Sequence, residues 1–115
     1  SRGFIFGTAI AQALSAGFVP IRKPGKLPGA VHGVDYALEY GTDRLELHID
    51  SVASNANVLL VDDLLATGGT LKACCELLKK ANAHLKGITV LIEIMALRGR
   101  EKLKAYGDVH SVLTY

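Results

Sequence analysis

Val58-Leu59-Leu60-Val61 is an unbroken apolar run that ends on two adjacent acids, Asp62-Asp63, with Gly68-Gly69 and a helical pattern close behind. Such a run is how a strand covered on both faces reads, because side chains in both directions must then be buried. The helix is expected from about Gly69 to Ala81, where Leu71, Cys74, Leu77 and Leu78 recur at helical spacing. A second covered strand is expected at Ile88 to Ile94 and a last strand at Val109 to Leu113. Between them, Gly99 to Tyr106 reads as a short helix with Arg100, Lys102 and Lys104 in solvent. Strands alternating with helices in this way imply an α/β fold with a mainly parallel sheet and right-handed crossovers.

The first half of the chain is less regular. A helix is expected from about Phe4 or Gly7 to Ala16, stopped by Gly17, and then a short strand from Phe18 to Arg22. Lys23 to Gly33 holds Pro24, Gly25, Pro28 and Gly29, a loop composition suited to a lid or its hinge. Asp35 to Tyr40 and Arg44 to Ile49 read as hairpin strands joined by Gly41-Thr42-Asp43. In the second strand Leu45, Leu47 and Ile49 alternate with Glu46, His48 and Asp50, one face packed and one wet. Ser51 to Ala56 is a polar connection.

Composition narrows the class. In 115 residues, 50% hydrophobic and 21% charged, there is material for one domain with a core, and for no disordered tail. Thirteen basic against 11 acidic side chains give a net charge of +2, too balanced for wrapping nucleic acid. The charge-free stretch from Gly3 to Ile21 is nineteen residues long, enough to raise a membrane span or a signal peptide. Gly17 and Pro20 break it too early to cross a bilayer, so a buried helix and strand are the expectation. Cys74 and Cys75 are neighbours, which does not favour disulfide geometry and points to a reducing, cytoplasmic compartment. His32, His48, His84 and His110 show no metal-ligand spacing.

The chemistry concentrates in Val61 to Thr70. Gly68 and Gly69 let the backbone turn tightly and bring its N–H groups close to a ligand, and Thr67 and Thr70 add hydroxyl donors. The following helix adds its dipole and free N–H groups, which together make a cradle for a phosphate. Asp62 and Asp63 lie at the carboxyl end of the strand, where open α/β sheets bind ligands, and suit sugar hydroxyls or a hydrated Mg²⁺. The plainer alternative is a strand–turn–helix in which Asp63 or Thr67 merely caps the helix. Neither a Walker pattern nor G-x-G-x-x-G occurs, so neither a nucleoside triphosphatase nor a Rossmann dehydrogenase gains support.

Val61 to Thr70 resembles the phosphoribosyl-pyrophosphate (PRPP) motif of the type I phosphoribosyltransferases. Ser1-Arg2-Gly3-Phe4, Ile21 to Gly29, Leu38-Glu39-Tyr40-Gly41 and Gly99-Arg100-Glu101-Lys102-Leu103 are similar to the adenine phosphoribosyltransferases within that family. The resemblance implies a mainly parallel sheet flanked by helices, with a flexible β-hairpin loop over the site. It further implies Mg²⁺-dependent transfer of phosphoribose from PRPP to adenine, giving AMP and pyrophosphate, in a homodimer. On the same basis Ala66, Thr67, Gly68, Gly69 and Thr70 would hold the 5′-phosphate, and Asp62 and Asp63 the ribose hydroxyls. Leu64 would lie against the base, and Arg2, Arg22, Lys23 and Lys26 would bind pyrophosphate. Glu39 would handle the purine proton, and Mg²⁺ would be held mainly through PRPP and water. The chain starts inside the family's pyrophosphate loop, so an N-terminal portion with most of the base-recognising hood is expected to be absent. A PRPP- or AMP-binding regulatory module, or an inactive fragment of the same fold, stands as the alternative.

Overall fold

The central element is a three-stranded parallel sheet in the order β3-β4-β5, described by a computed structural model that covers residues 2–38 and 40–115. Its strands are β3 (Asn57–Leu65), β4 (His84–Glu93) and β5 (Val109–Thr114). Before it come α1 (Gly3–Ala13) and an antiparallel hairpin of β1 (Val31–Ala37) and β2 (Thr42–His48). Helix α2 (Gly69–Lys80) crosses from β3 to β4, and a 3-10 turn at Met95–Leu97 with α3 (Arg100–Leu103) joins β4 to β5. This is the mixed α/β architecture the alternation of elements implied.

Helix α2 lies in contact with both the hairpin and the parallel sheet, which explains its wide apolar stripe. Leu71, Cys74, Cys75, Leu77 and Leu78 are all buried there. They meet Leu47 of β2, Leu60 of β3 and Ile88 and Val90 of β4 in one continuous core. Burying side chains of this size stabilises the fold by about 1.5–3 kcal/mol each. The second face of the sheet is only partly closed. Leu60 is 7% exposed but its neighbour Leu59 is 40% exposed, so Val58 to Val61 is covered on one face, not on both. Among the described elements α1 is the other helix packed on β3, and it leaves Leu59 and Leu64 in partial contact with solvent.

Several boundaries differ from the sequence expectations, each for a local reason. Helix α1 stops at Ala13, before Ala16, and its stop is made at Ser15, not at Gly17. Ser15 takes the left-handed conformation (φ 54), so that Ala16 N–H reaches Ala11 C=O at 2.9 Å and Ser15 N–H reaches Gln12 C=O at 3.2 Å. These paired bonds satisfy the last carbonyls of the helix without glycine. Phe18 to Arg22 forms no strand; its one pairing is the Arg22–Glu46 bridge, with N···O distances of 2.9 and 2.7 Å. Pro20 cannot donate to a ladder, which limits that segment to an edge contact.

The hairpin is longer than expected at its base. β1 begins at Val31, paired with His48, so His32 and Gly33 are strand, not loop. Leu38 N–H donates to Gly41 C=O at 2.9 Å, and Thr42 and Asp43 already pair in β2. Leu45 and Leu47 are buried as the alternation predicts, but Ile49 lies beyond β2 and is exposed. β4 starts at His84, well before Ile88, and α3 is confined to Arg100–Leu103. Among the described residues no helix is long and apolar enough to cross a membrane.

Candidate functional site

β3 runs on through Asp62, Asp63, Leu64 and Leu65, so the acid pair stands inside the carboxyl end of the strand and not after it. From there residues 62–71 line a cavity of about 230 Å³. The turn into α2 is made by Gly68, the N-cap residue, at φ 90 and without any side-chain cap. Neither Asp63 nor Thr67 therefore caps the helix. The first intrahelical bond is Lys72 N–H to Gly68 C=O at 2.9 Å. The N–H groups of Gly69, Thr70 and Leu71, in the first turn, have no intrahelical partners. Nothing lies within 4 Å of where a Cβ on Gly69 would stand.

Two close backbone approaches shape this cradle. A Cβ on Gly68 would lie 2.7 Å from the Gly99 carbonyl oxygen and 3.1 Å from Gly99 Cα. A Cβ on Gly3 would lie 2.6 Å from Asp62 Oδ1 and 2.9 Å from Asp62 Cα. The start of α1, with Arg2 beside Gly3, is thereby seated on the acid pair. Asp62 Oδ1 accepts the Asp63 N–H at 2.8 Å. Burial first, and the neighbouring Asp63 carboxyl second, push the Asp62 carboxyl up to about 6. Beneath it on α2 the Cys74 thiol is pushed up to about 12, mainly by burial and next by the Asp62 charge. Leu64 is 42% exposed and offers an apolar surface next to the acids.

Of the residues singled out in the sequence, Asp62, Asp63, Leu64, Ala66, Thr67, Gly68, Gly69 and Thr70 meet around this cavity. Arg22, Lys23 and Lys26 are not part of its lining and lie exposed along the hairpin. Lys23 forms an ion pair with Asp43 and stands 3.4 Å from the Tyr36 hydroxyl. Arg22 bridges Glu46 through its backbone, and Gly25 N–H donates to Glu46 Oε1 at 3.1 Å. Glu39 lies outside the described residues.

One charged pair went unread in the sequence. Arg100 keeps 39% of its side chain exposed but is ion-paired: its Nη2 and Nε grip Glu93 Oε1 and Oε2 at 2.6 and 3.1 Å. Its Nη1 donates to Val109 C=O at 2.6 Å, and Ser111 Oγ donates to Glu93 Oε1 at 2.8 Å. Glu93 is 2% exposed, and Arg100, chiefly through these bonds, holds its carboxyl below the usual carboxylate range. The signal was present: an acid inside the covered run Ile88 to Ile94 requires a partner of opposite charge.

Comparison with known proteins agrees with this geometry. The phosphoribosyl transferase domain profile matches residues 1–112. An adenine phosphoribosyltransferase of Rhodopirellula baltica is 56% identical over the whole chain, which covers 55% of that protein. The crystal structure of adenine phosphoribosyltransferase from Thermoanaerobacter pseudethanolicus superposes with a TM-score of 0.95 at 47% identity, covering all of this chain and 66% of that one. The Saccharomyces cerevisiae enzyme, complexed with adenine and D-2,5-dideoxy-2,5-imino-altritol 1,6-bisphosphate, gives a TM-score of 0.92 at 42% identity, over 97% of this chain and 62% of that one. The chain thus spans roughly half to two-thirds of the length of these relatives. Sequence and fold place it together: the chain belongs to the phosphoribosyl transferase domain family, on the branch that holds the adenine phosphoribosyltransferases.

Proposed function

We propose that the chain carries the PRPP site of an adenine phosphoribosyltransferase, which moves phosphoribose from PRPP to adenine and releases AMP and pyrophosphate in purine salvage. The observation that carries this reading is the cavity lined by residues 62–71, where an acid pair faces a glycine turn at a helix N-terminus. A 5′-phosphate fits the N–H groups and hydroxyls of Ala66 to Thr70, and the helix dipole favours its charge. Asp62 and Asp63 are acceptors suited to the ribose 2′- and 3′-hydroxyls, and Leu64 to the face of a purine. The iminoaltritol bisphosphate and adenine named with the yeast relative are ligands of the same chemical kind.

Displacement of pyrophosphate from the anomeric carbon leaves positive charge on the ribose and negative charge on the leaving group. Groups that meet these charges lower the barrier because they bind the transition state better than the ground state. Arg2, Arg22, Lys23 and Lys26, which stand outside the cavity lining, are assigned to pyrophosphate on the family resemblance. Among the described residues no cluster of three or more acids, histidines and cysteines could cage a metal. The Asp62-Asp63 pair fits Mg²⁺ that arrives with the pyrophosphate and keeps most of its ligands from phosphate and water. Bound there, Mg²⁺ supplies further neutralisation of the leaving group. Glu39 is assigned the purine proton on the family resemblance. A homodimer and a reducing, cytoplasmic setting belong to the same proposal.

The test is AMP formation from adenine, PRPP and Mg²⁺, with hypoxanthine and guanine as controls. Turnover with adenine alone is expected, reduced at least 100-fold when Asp62 and Asp63 are both changed to Asn, a loss of the size attached to a misplaced reacting group. Unchanged turnover in that double variant would overturn the role of the acid pair.

A further inference from the structure

Outside the cavity, the most completely built polar group is the Glu93–Arg100–Ser111 network, and its geometry leads back to the phosphate turn. Gly99 precedes Arg100 and forms the N-cap of α3. Its backbone lies flush on the turn: a Cβ there would stand 2.8 Å from Leu65 Cδ1 and 3.0 Å from Gly68 N. The segment between β4 and Gly99 is pinned at its start by Ile94 N–H to Leu65 C=O at 3.0 Å and Met95 N–H to Tyr115 C=O at 2.8 Å. It is pinned at its end by Arg100, whose guanidinium is held by Glu93, Val109 and Ser111. Between these anchors Arg98 takes a left-handed conformation at φ 54, which the anchors must hold in place.

We infer that Arg100 and Glu93 are positioning residues for the 5′-phosphate: their ion pair fixes Gly99 against Gly68 and so sets the left-handed turn whose N–H groups receive the phosphate. This rests on the phosphate reading of the cavity given above. An ion pair serving stability alone would be weak reason to bury Glu93, because a well-packed apolar pair of similar size often does as well. A bidentate fork fixes orientation as well as distance, which is what a backbone buttress needs.

The test is the affinity of the full chain for ribose 5-phosphate, by titration calorimetry below the melting point, beside the melting point itself. In Arg100→Met the affinity is expected to fall on the order of 10- to 100-fold, the scale attached to small misplacements of a binding group. Arg100→Lys, which keeps the charge but not the fork, is expected to restore part of it. Gly99→Ala keeps the ion pair but drives a methyl into the Ala66 carbonyl and toward Gly68 N, and the same loss is expected there; Arg100→Lys decides the matter if Arg100→Met does not fold. A lowered melting point with unchanged affinity in Arg100→Met, or in Arg100→Lys if that alone folds, would overturn the inference and leave the phosphate site standing. Failure of the unmodified chain to bind ribose 5-phosphate would overturn the phosphate site itself, and this inference with it.

Discussion

Gly3 is packed onto Asp62 with no room for a side chain, a Cβ at Gly3 standing 2.9 Å from Asp62 Cα and 3.1 Å from the Val61 carbonyl oxygen. Contact with backbone atoms cannot be relieved by turning a rotamer, so one of the two elements must shift. Gly3→Ala is therefore expected to destabilise the chain by about 1–3 kcal/mol. It is also expected to weaken ribose 5-phosphate binding, since Asp62 moves with β3. Urea denaturation and calorimetry of the same protein measure the two effects.

Asp62 sets a pH dependence of unusual sign. Its folded-state value of about 6 lies above the ordinary aspartate value of about 3.9, so the folded chain holds this proton more tightly than the unfolded one. The contribution is full below about pH 4 and is lost as the pH rises through about 6. Asp62→Asn keeps the shape and the acceptor for Asp63 N–H but removes the titration. Its stability is expected to exceed that of the unmodified chain at pH 7–8, and the difference to shrink toward pH 4. Melting points across that range check the sign, and a carboxyl carbon titration by NMR locates the group.

The vicinal thiols are expected to be inert. Cys74 and Cys75 are 7% and 2% exposed, and burial pushes them up to about 12 and about 11, so little thiolate exists at pH 8. Iodoacetamide at that pH should leave both unlabelled in the native chain and alkylate both in urea, as mass spectrometry would read. Rapid native labelling would contradict their placement.

Ser15 offers a stabilising substitution. It holds a left-handed conformation in which its Cβ is unfavourable, yet the helix stop depends on that conformation. Ser15→Gly is expected to raise stability by about 1 kcal/mol without touching the cavity. Thermal unfolding of the variant, with ribose 5-phosphate affinity as the control, checks this.

What the sequence made legible follows from where chemistry is local. Helix α2 was readable nearly to its ends because Leu71, Cys74, Leu77 and Leu78 are buried by the same periodicity that spaces them. That residues from Asp62 to Thr70 would meet around one cavity was readable because they are contiguous. The strand expected at Phe18 to Arg22 failed because extended propensity is not pairing, and the partner edge accepts one bridge at Glu46. The hairpin base was missed because His32 and Gly33 carry little strand signal of their own; their pairing comes from Leu47 and Glu46 opposite. The partner of Arg100 went unread because Glu93, seven residues earlier, is brought to it only when β4 and α3 lie side by side.

The contact of Gly68 with Gly99 also fixes when the site can come into being. The turn at Gly68 is written in one short stretch, but the surface it rests against belongs to a segment made only after α2 and β4 have been synthesised. A nascent chain that has emerged through α2 holds every donor of the turn and still lacks its buttress. Assembly of the pocket is therefore tied to docking of β4 beside β3, a non-local parallel pairing and an intrinsically slow event in folding.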